Sequence, residues 1–335
     1  AEKNPNARIR HQIIDFAIET QAVRPISVKK SGEILGILAK KSYSPSSILT
    51  YLACSLKFYF TYVLKLREEE EMVESPDYRL IGEIVQQTIQ ELYQPFCGID
   101  RPVTYLEIES MKENLESTLS KVFLEKLKTG DLRTGRNLIV YEVMKRFLEH
   151  FFEKEKHDCG FKILMLEQKI NEVGFGFSLE GKEHRVKLEG TVDRLDVRDN
   201  IYRVIDYKTG KIGSLNVKSE EDFVSQLTGQ EAVNRKEVFQ LFFYRYLLKQ
   251  VGREQGEYRL GIYPFKKIYD ELKLVRVGKT EVIDEGLMKR YEGILTEIFR
   301  DLFSLEKPFE QTEEERNCQY CPYISICNKQ ATVAY

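Results

Sequence analysis

The sequence predicts an α/β domain built around a mixed central sheet flanked by helices. Three observations point to it. Apolar residues recur at helical spacing through the first half, in "RLIGEIVQQTIQELY" and "LIVYEVMKRFLEHFFEKEK". Near Phe161 the period shortens, and "KILMLEQKINEVGFGFSL", "HRVKLEGTVDRLDVRD" and "IYRVIDYKTG" alternate or run β-branched as strands do. After Arg235, helical and strand-like runs follow one another again.

Taken in order, the segment to about residue 40 has weak periodicity and begins at Ala1. It reads as a linker or the remnant of an upstream region, with one domain over 41–335. "SYSPSSILTYLACSLKFYFTYVLKL" has a Ser-Pro start followed by an aromatic-rich amphipathic helix, and the acidic run Glu68 to Glu71 after it is expected as a solvated loop or helix end. The helical part extends over 41–160 and the sheet core over 161–305. Within the core, Asp199-Asn200 is a tight turn between two strands, and the polar stretch from Ser214 to Arg235 is expected as a loop or insertion. "EVFQLFFYRYLLKQ" is then a helix, "EYRLGIYPF" and "LKLVRV" are strands, and "DEGLMKRYEGILTEIFRDLF" is a long helix. A cysteine-rich tail covers 306–330.

Composition narrows the function. Of 335 residues 42% are hydrophobic, yet no apolar run approaches the roughly 20 residues a membrane span needs, and no signal peptide opens the chain. A cytoplasmic setting is the expectation. With 51 basic and 53 acidic residues the net charge is −2, so any grip on nucleic acid must come from a local patch.

The chemistry gathers in "VIDYKTGK". Side chains two apart on a strand share a face, so Asp206 and Lys208 are held side by side. Counting back from the Asp199-Asn200 turn, Asp193 on the preceding strand stands opposite Asp206. Two carboxylates that close repel unless a cation or proton lies between them. The pattern suits a hard divalent ion, with Lys208 orienting water or neutralising a phosphate. On the helix that follows, Gln240 and Tyr244 are four apart and share one face.

Three of the six cysteines form "CQYCPYISIC", a C-x2-C-x5-C pattern of Cys318, Cys321 and Cys327. On its own it fits a zinc knuckle short of one ligand or a chance cluster, and Cys54 is the available fourth thiol. Cys97 and Cys159 read as ordinary buried or free cysteines. "VRVGKT" is no phosphate loop, because Lys273 stands where the glycine five residues before Gly278 is required.

"GTVDRLD", "VIDYKTG" and "QLFFY", in this order and spacing, resemble the PD-(D/E)xK nuclease core of the RecB/AddB type. "SPSSILTYLACSLKFYFTYVL" and "IGEIVQQTIQELY" are similar to the front of the same family, so the likeness covers about residues 44 to 328. The resemblance implies a restriction-endonuclease-like core and a Mg2+- or Mn2+-dependent deoxyribonuclease, an exonuclease first of all, acting in DNA end processing. Asp193, Asp206 and the Tyr207 carbonyl would be metal ligands and Lys208 the catalytic lysine. Gln240 and Tyr244 would support the site, and Glu167 falls where related sequences often have a glutamate. Lys211 and Arg235 are the candidate DNA contacts. In iron-sulfur nucleases related to AddB, one cysteine ahead of the domain joins three at its end around a [4Fe-4S] cluster, which implies Cys54, Cys318, Cys321 and Cys327 as a structural staple. The implied partners are DNA and an upstream helicase region or partner subunit.

One position departs from the pattern. Related nucleases carry G-xxx-H in the early helix, and here Gly82 is followed by Gln86, whose amide oxygen is a poorer metal donor than imidazole. The rival reading is therefore a weakened module of the same fold that grips DNA or a partner without cutting.

Overall fold

A computed structural model describes residues 25–66, 78–127, 135–252, 256–266 and 269–329. The acidic run at Glu68 to Glu71 lies outside them. Strand β1 (Ser27–Val28) pairs antiparallel with Phe309–Glu310, and helix α1 (Gly32–Lys40) follows, capped by the Ser31 hydroxyl. Leu38 of α1 is buried in the main core, so residues 25–40, expected as a linker, pack with the domain they precede.

Strand β2 (Ser42–Tyr43) leads into α2 (Pro45–Ala53), which starts at Pro45 under a capping box between Ser44 and Ser47. The single amphipathic helix expected here breaks at Cys54. That residue is extended (φ −163°, ψ 108°), ends α2 and caps α3 (Ser55–Phe58), after which one π-helical turn covers Tyr59–Val63. Its sulfur accepts the Lys57 N–H at 3.4 Å, taking over the role of an N-cap oxygen.

Helices α4 (Tyr78–Tyr93), α5 (Tyr105–Glu113), α6 (Leu115–Leu127) and α7 (Gly135–His157) form a helical layer. Ile84, Ile89, Met144, Leu148 and Phe152 make its core, which runs on into Phe161 and into Ile205, Tyr207 and Tyr263 of the sheet.

Strands β3 (Lys162–Leu179), β4 (Lys182–Arg198) and β5 (Ile201–Lys208) form the expected meander. Asp199 and Asn200 sit at φ 51° and 61°, left-handed values that favour a two-residue hairpin and that Asp and Asn tolerate better than most residues. The next stretch, expected as a loop, carries β6 (Asn216–Val217), α8 (Phe223–Gln226) and α9 (Gly229–Asn234), and Phe223, Leu227 and Ala232 are buried.

Helix α10 (Lys236–Gln250) is buried from Glu237 to Phe239 and from Leu241 to Leu248, as an apolar-all-round helix must be. Strand β7 (Glu257–Pro264) runs parallel to β5. The expected strand "LKLVRV" divides into β8 (Lys273–Leu274) and β9 (Arg276–Val277). At buried Val275 the chain changes partner: its N–H goes to the Leu260 carbonyl at 2.7 Å, whereas Arg276 N–H goes to Leu215 O at 3.2 Å. Thus β8 extends the main sheet beside β7, while β9 pairs with β6. Helix α11 (Glu285–Phe303), capped by Asp284, precedes β10 (Phe309–Glu310).

The main sheet is mixed, in the order β2-β4-β5-β7-β8 with β3 along the other edge of β4. Residues of α10 and α11 share one core cluster with Val204, Leu195 and Ile262, and the α4–α7 layer joins the cluster that holds Ile205 and Tyr207. Alternation along β5 sends Val204, Asp206 and Lys208 to one face and Ile205 and Tyr207 to the other.

Candidate active site

The β4–β5 register pairs Arg194 with Ile205, one step short of Asp193 and Asp206. On the other edge β3 pairs Leu166 with Arg194 and Gln168 with Val192, which brackets Glu167 opposite Asp193. Three strands therefore deliver three carboxylates to one place. Glu167 is held at φ 44°, a left-handed value that costs about 1–3 kcal/mol in a non-glycine residue and persists only where the surrounding structure fixes it.

Asp193 is 7% exposed and Asp206 2%. Asp193 Oδ2 accepts the Tyr207 N–H at 2.9 Å and Gln86 Nε2 at 3.1 Å. Asp206 Oδ1 accepts Lys208 Nζ at 2.9 Å and Gln240 Nε2 at 3.2 Å. The ammonium also lies 2.9 Å from Oδ2, but as an ion pair without hydrogen-bond direction, and that buried oxygen has no hydrogen-bond partner.

Electrostatics follow from this crowding. Burial, then the charges of Asp206 and Glu167, hold the Asp193 carboxyl well above the usual range. Burial likewise raises Asp206 against the pull of Lys208. Glu167 is pushed up to about 7 by burial and by Asp206. Burial works against the Lys208 charge, yet Asp206 and Asp193 outweigh it and its pKa is raised. An acidic cluster of this kind seeks a cation.

Two glycines let the helices come this close. A Cβ on Gly190 of β4 would meet Tyr244 Cε1 at 3.1 Å and Leu247 Cδ1 at 3.0 Å, so only glycine lets α10 lie flat there. A Cβ on Gly82 would meet Thr209 Oγ1 at 3.1 Å, which brings α4 and its Gln86 against the end of β5. On α10 the Gln240 amide bridges Asp206 and the Tyr244 hydroxyl.

The Gln86 amide sits differently from the sequence-based expectation of an oxygen ligand. Its Nε2 donates to Asp193 Oδ2 and, at 3.2 Å, to the Tyr207 carbonyl. Both are acceptors, so the nitrogen must face them, and Gln86 here binds two expected ligands instead of acting as one.

Lys208, Gln240 and Tyr244 open onto a groove of about 400 Å³ that also holds Lys169 and Lys236. Neither of these lysines was legible beforehand: Lys169 reaches the groove only through strand register, and Lys236 is the first residue of α10. Arg235, expected on DNA, instead donates Nη1 to the Asn216 carbonyl at 2.6 Å and ties down the folded insertion. Lys211 is exposed on the loop after β5.

Behind the acids runs a buried ion network. Arg194 is fully buried; its Nε donates to Asp196 Oδ2 at 2.6 Å and its Nη1 to Glu155 of α7. Arg203 holds Asp196 Oδ1 at 2.6 Å, and the Tyr93 hydroxyl holds Glu155 at 2.7 Å. Arg194 also packs on the Phe161 ring, 4.2 Å from its centroid, locking the helical layer to β4 beside Asp193.

Cys54, Cys318, Cys321 and Cys327 line one narrow pocket, all as free thiols. Asn317 Nδ2 donates to the Ala53 carbonyl at 2.9 Å and brings the C-terminal segment to the end of α2. Burial, then the neighbouring Cys54, Cys321 and Cys318, raises the Cys327 thiol. Four sulfurs gathered in one pocket are a donor set that suits a soft metal or a cluster. Among the described residues, no three His, Cys, Asp or Glu side chains close round one point as a finished shell, at the acids or at the thiols. Cys97 and Cys159 lie apart, packed against the helical core.

The family model of the PD-(D/E)XK nuclease superfamily matches residues 42–328. The chain is 22% identical over 368 aligned positions to an ATP-dependent helicase/deoxyribonuclease subunit from Carboxydothermus hydrogenoformans, covering 91% of this chain and 33% of that protein. It is 26% identical over 204 positions to ribonuclease Y of Mycoplasmoides gallisepticum, covering 57% of this chain and 33% of the relative. It thus spans about a third of the length of the curated relatives it matches. A crystal structure of a candidate exonuclease from Eubacterium rectale aligns at 13% identity and a TM-score of 0.39, over 82% of this chain and 85% of that one.

Proposed function

The chain belongs to the PD-(D/E)XK nuclease superfamily, and from that premise we propose that it is a divalent-cation-dependent deoxyribonuclease, the nuclease part of a helicase-nuclease that processes DNA ends for recombination repair. The observation that carries this reading is the buried Asp193–Asp206 pair with Lys208 at the strand end, where Asp206 Oδ2 has no hydrogen-bond partner. Asp193, Asp206 and the Tyr207 carbonyl are the groups that would hold Mg2+ or Mn2+. Such an ion, when bound, supplies Lewis acidity and a more acidic water.

The chain's own residues do the positioning. Lys208 keeps its ammonium beside Asp206, where it neutralises charge that builds on a phosphate oxygen. Gln240, braced by Tyr244, fixes the orientation of Asp206, and the Tyr207 N–H fixes Asp193. Lys169, Lys236 and Lys208 outnumber Glu189 and Glu237 along the groove and are the side chains that would meet the phosphate backbone. The four cysteines would hold a [4Fe-4S] cluster that ties α2 to the C-terminal segment. The partner of such a nuclease is a helicase region or subunit, in keeping with the helicase/deoxyribonuclease relative. No described helix is long and apolar enough to cross a membrane.

One observation favours a second reading. Because Gln86 Nε2 already donates to Asp193 and Tyr207 O, this chain satisfies internally two acceptors that a cation needs. A weakened module that grips DNA or a partner subunit fits that arrangement. Incubating the protein with linear and circular DNA in magnesium or manganese, beside Asp206→Asn, separates the two. Cleavage that needs the metal and Asp206 supports the nuclease. Inert protein in both metals, with DNA still bound, supports the binding module.

A further inference from the structure

Away from the acids, a cavity of about 580 Å³ opens between the C-terminal end of α7 and strands β5, β7 and β8. Arg203, its residue on β5, stands five residues before Lys208, about 17 Å along the strand. The cavity shares no lining residue with the groove at Lys208, Gln240 and Tyr244. Arg259, Gly261 and Tyr263 alternate onto the face of β7 that looks into it. A Cβ on Gly261 would meet Leu272 Cδ1 at 3.0 Å and Leu274 Cδ2 at 3.1 Å, so these two half-buried leucines lie over the backbone between the arginine and the tyrosine. The result is an apolar wall with a polar group at each end.

Two features leave the cavity short of an anion. The carboxylates that line it are all paired: Glu155 holds Arg194, Asp158 takes Arg203 at 2.7 Å and also Arg198, Asp199 lies 3.6 Å from Arg198, and Glu271 pairs with Lys154. Arg259 has no ion-pair partner among the described residues, and its register partner on β5 is a second arginine, Arg203. In addition, Arg259 Nε and the Tyr263 hydroxyl are both buried without a hydrogen-bond partner, and Tyr263 is only 4% exposed. A buried donor left unpaired keeps its desolvation cost, and like charges side by side on neighbouring strands repel. An anion against Arg259 relieves both. A bare ion meets only the arginine, whereas an oxyanion with an apolar body also covers the leucines and extends towards Tyr263.

We propose that this cavity binds a small organic oxyanion, a phosphate or carboxylate on an apolar or aromatic body. Arg259 would clamp the oxyanion in its planar fork, and Leu272 and Leu274 would pack the body. The site stands apart from the acids and does not rest on the nuclease reading.

The test is calorimetric titration of the full chain with phenyl phosphate, benzoate, inorganic phosphate and phenol. It is run in chelator, so that no cation at the acids can hold an anion, on wild type, Arg259→Gln and Lys236→Ala. Wild type should bind phenyl phosphate or benzoate more tightly than inorganic phosphate or phenol, and the tighter of the two aryl anions identifies the head group. Arg259→Gln should lose about tenfold or more in that affinity, the weight of a charge-assisted hydrogen bond. Lys236→Ala, in the other groove, should bind as wild type does. Failure of both aryl anions to bind overturns the proposal, as does equal binding by wild type and Arg259→Gln, or inorganic phosphate held as tightly as either aryl anion. A loss in Lys236→Ala that matches the loss in Arg259→Gln also overturns it, because the anion would then sit at the groove beside Lys208. Should Arg259→Gln melt early, phenylglyoxal labelling of wild type decides. Phenyl phosphate that shields Arg259 but not the exposed Arg316 supports the site, and labelling of Arg259 unchanged by the ligand refutes it.

Discussion

Replacing Arg194 with methionine should destabilise the domain more than any surface change, and the structure sets the size. Arg194 is fully buried, and its guanidinium bonds Glu155, which is 5% exposed, and Asp196, which is fully buried. Removing one partner of a buried ion pair costs about 3–5 kcal/mol, because the other charge stays behind without compensation. Here Asp196 keeps Arg203 at 2.6 and 3.1 Å, so the stranded charge is Glu155, which keeps the Tyr93 hydroxyl at 2.7 Å. The expected loss is thus at the lower end, about 3 kcal/mol. With roughly 2.1 cal/mol/K per residue of unfolding entropy, that is about 4 °C in Tm for a chain of this length. Urea unfolding followed by far-UV circular dichroism measures it. Adding Glu155→Leu removes the stranded carboxylate and should recover more than half of the loss. An Arg194→Met protein within about 1 kcal/mol of wild type, or a double variant worse than the single one, would sink the claim that this network locks α7 to β4.

Two further perturbations follow from the site and the staple. In metal-free protein, the raised pKa of Glu167 means that its contribution to stability is complete below the ordinary value of 4.5 and is lost as pH rises through about 7. Melting temperature in chelator should therefore fall between those values, and Glu167→Gln should flatten that fall; parallel curves for the two proteins would contradict the assignment. Protein purified without oxygen should be brown with about four irons per chain, and Cys54→Ser should lose iron and melt early to the same degree as Cys321→Ser. Colourless protein carrying one zinc, or a Cys54→Ser variant with unchanged metal, would remove the cluster.

What could be read from the sequence was local. The β3–β5 meander, the Asp199-Asn200 turn and the opposition of Asp193 to Asp206 all follow from counting along one hairpin. Helix α10 announced itself by its apolar run, and Gln240 and Tyr244 by their spacing. Glu167 gave a weaker signal, because it reaches the acids only through the register of β3 on β4, and its left-handed backbone leaves no mark on a single sequence. The break at Cys54 was hidden for a related reason: the apolar period continues through it, while the sulfur caps a new helix. Val275 changes sheets because its neighbours find different partners, a tertiary choice that no window of six residues carries. Arg235 was assigned to DNA by charge alone, and its bond to the Asn216 carbonyl shows how often a surface cation serves its own loop.

The proposed division of labour has Lys208 act on the phosphodiester while the buried acids hold the cation. It is tested most directly by comparing wild type and Lys208→Ala in single-turnover cleavage of end-labelled DNA in manganese, with manganese and DNA affinities measured on the same two proteins. Lys208→Ala should bind both as well as wild type to within a few-fold and cut at least about a hundredfold more slowly, the weight of one charge-stabilising group in a transition state. Equal cutting by the two proteins would place the chemistry elsewhere.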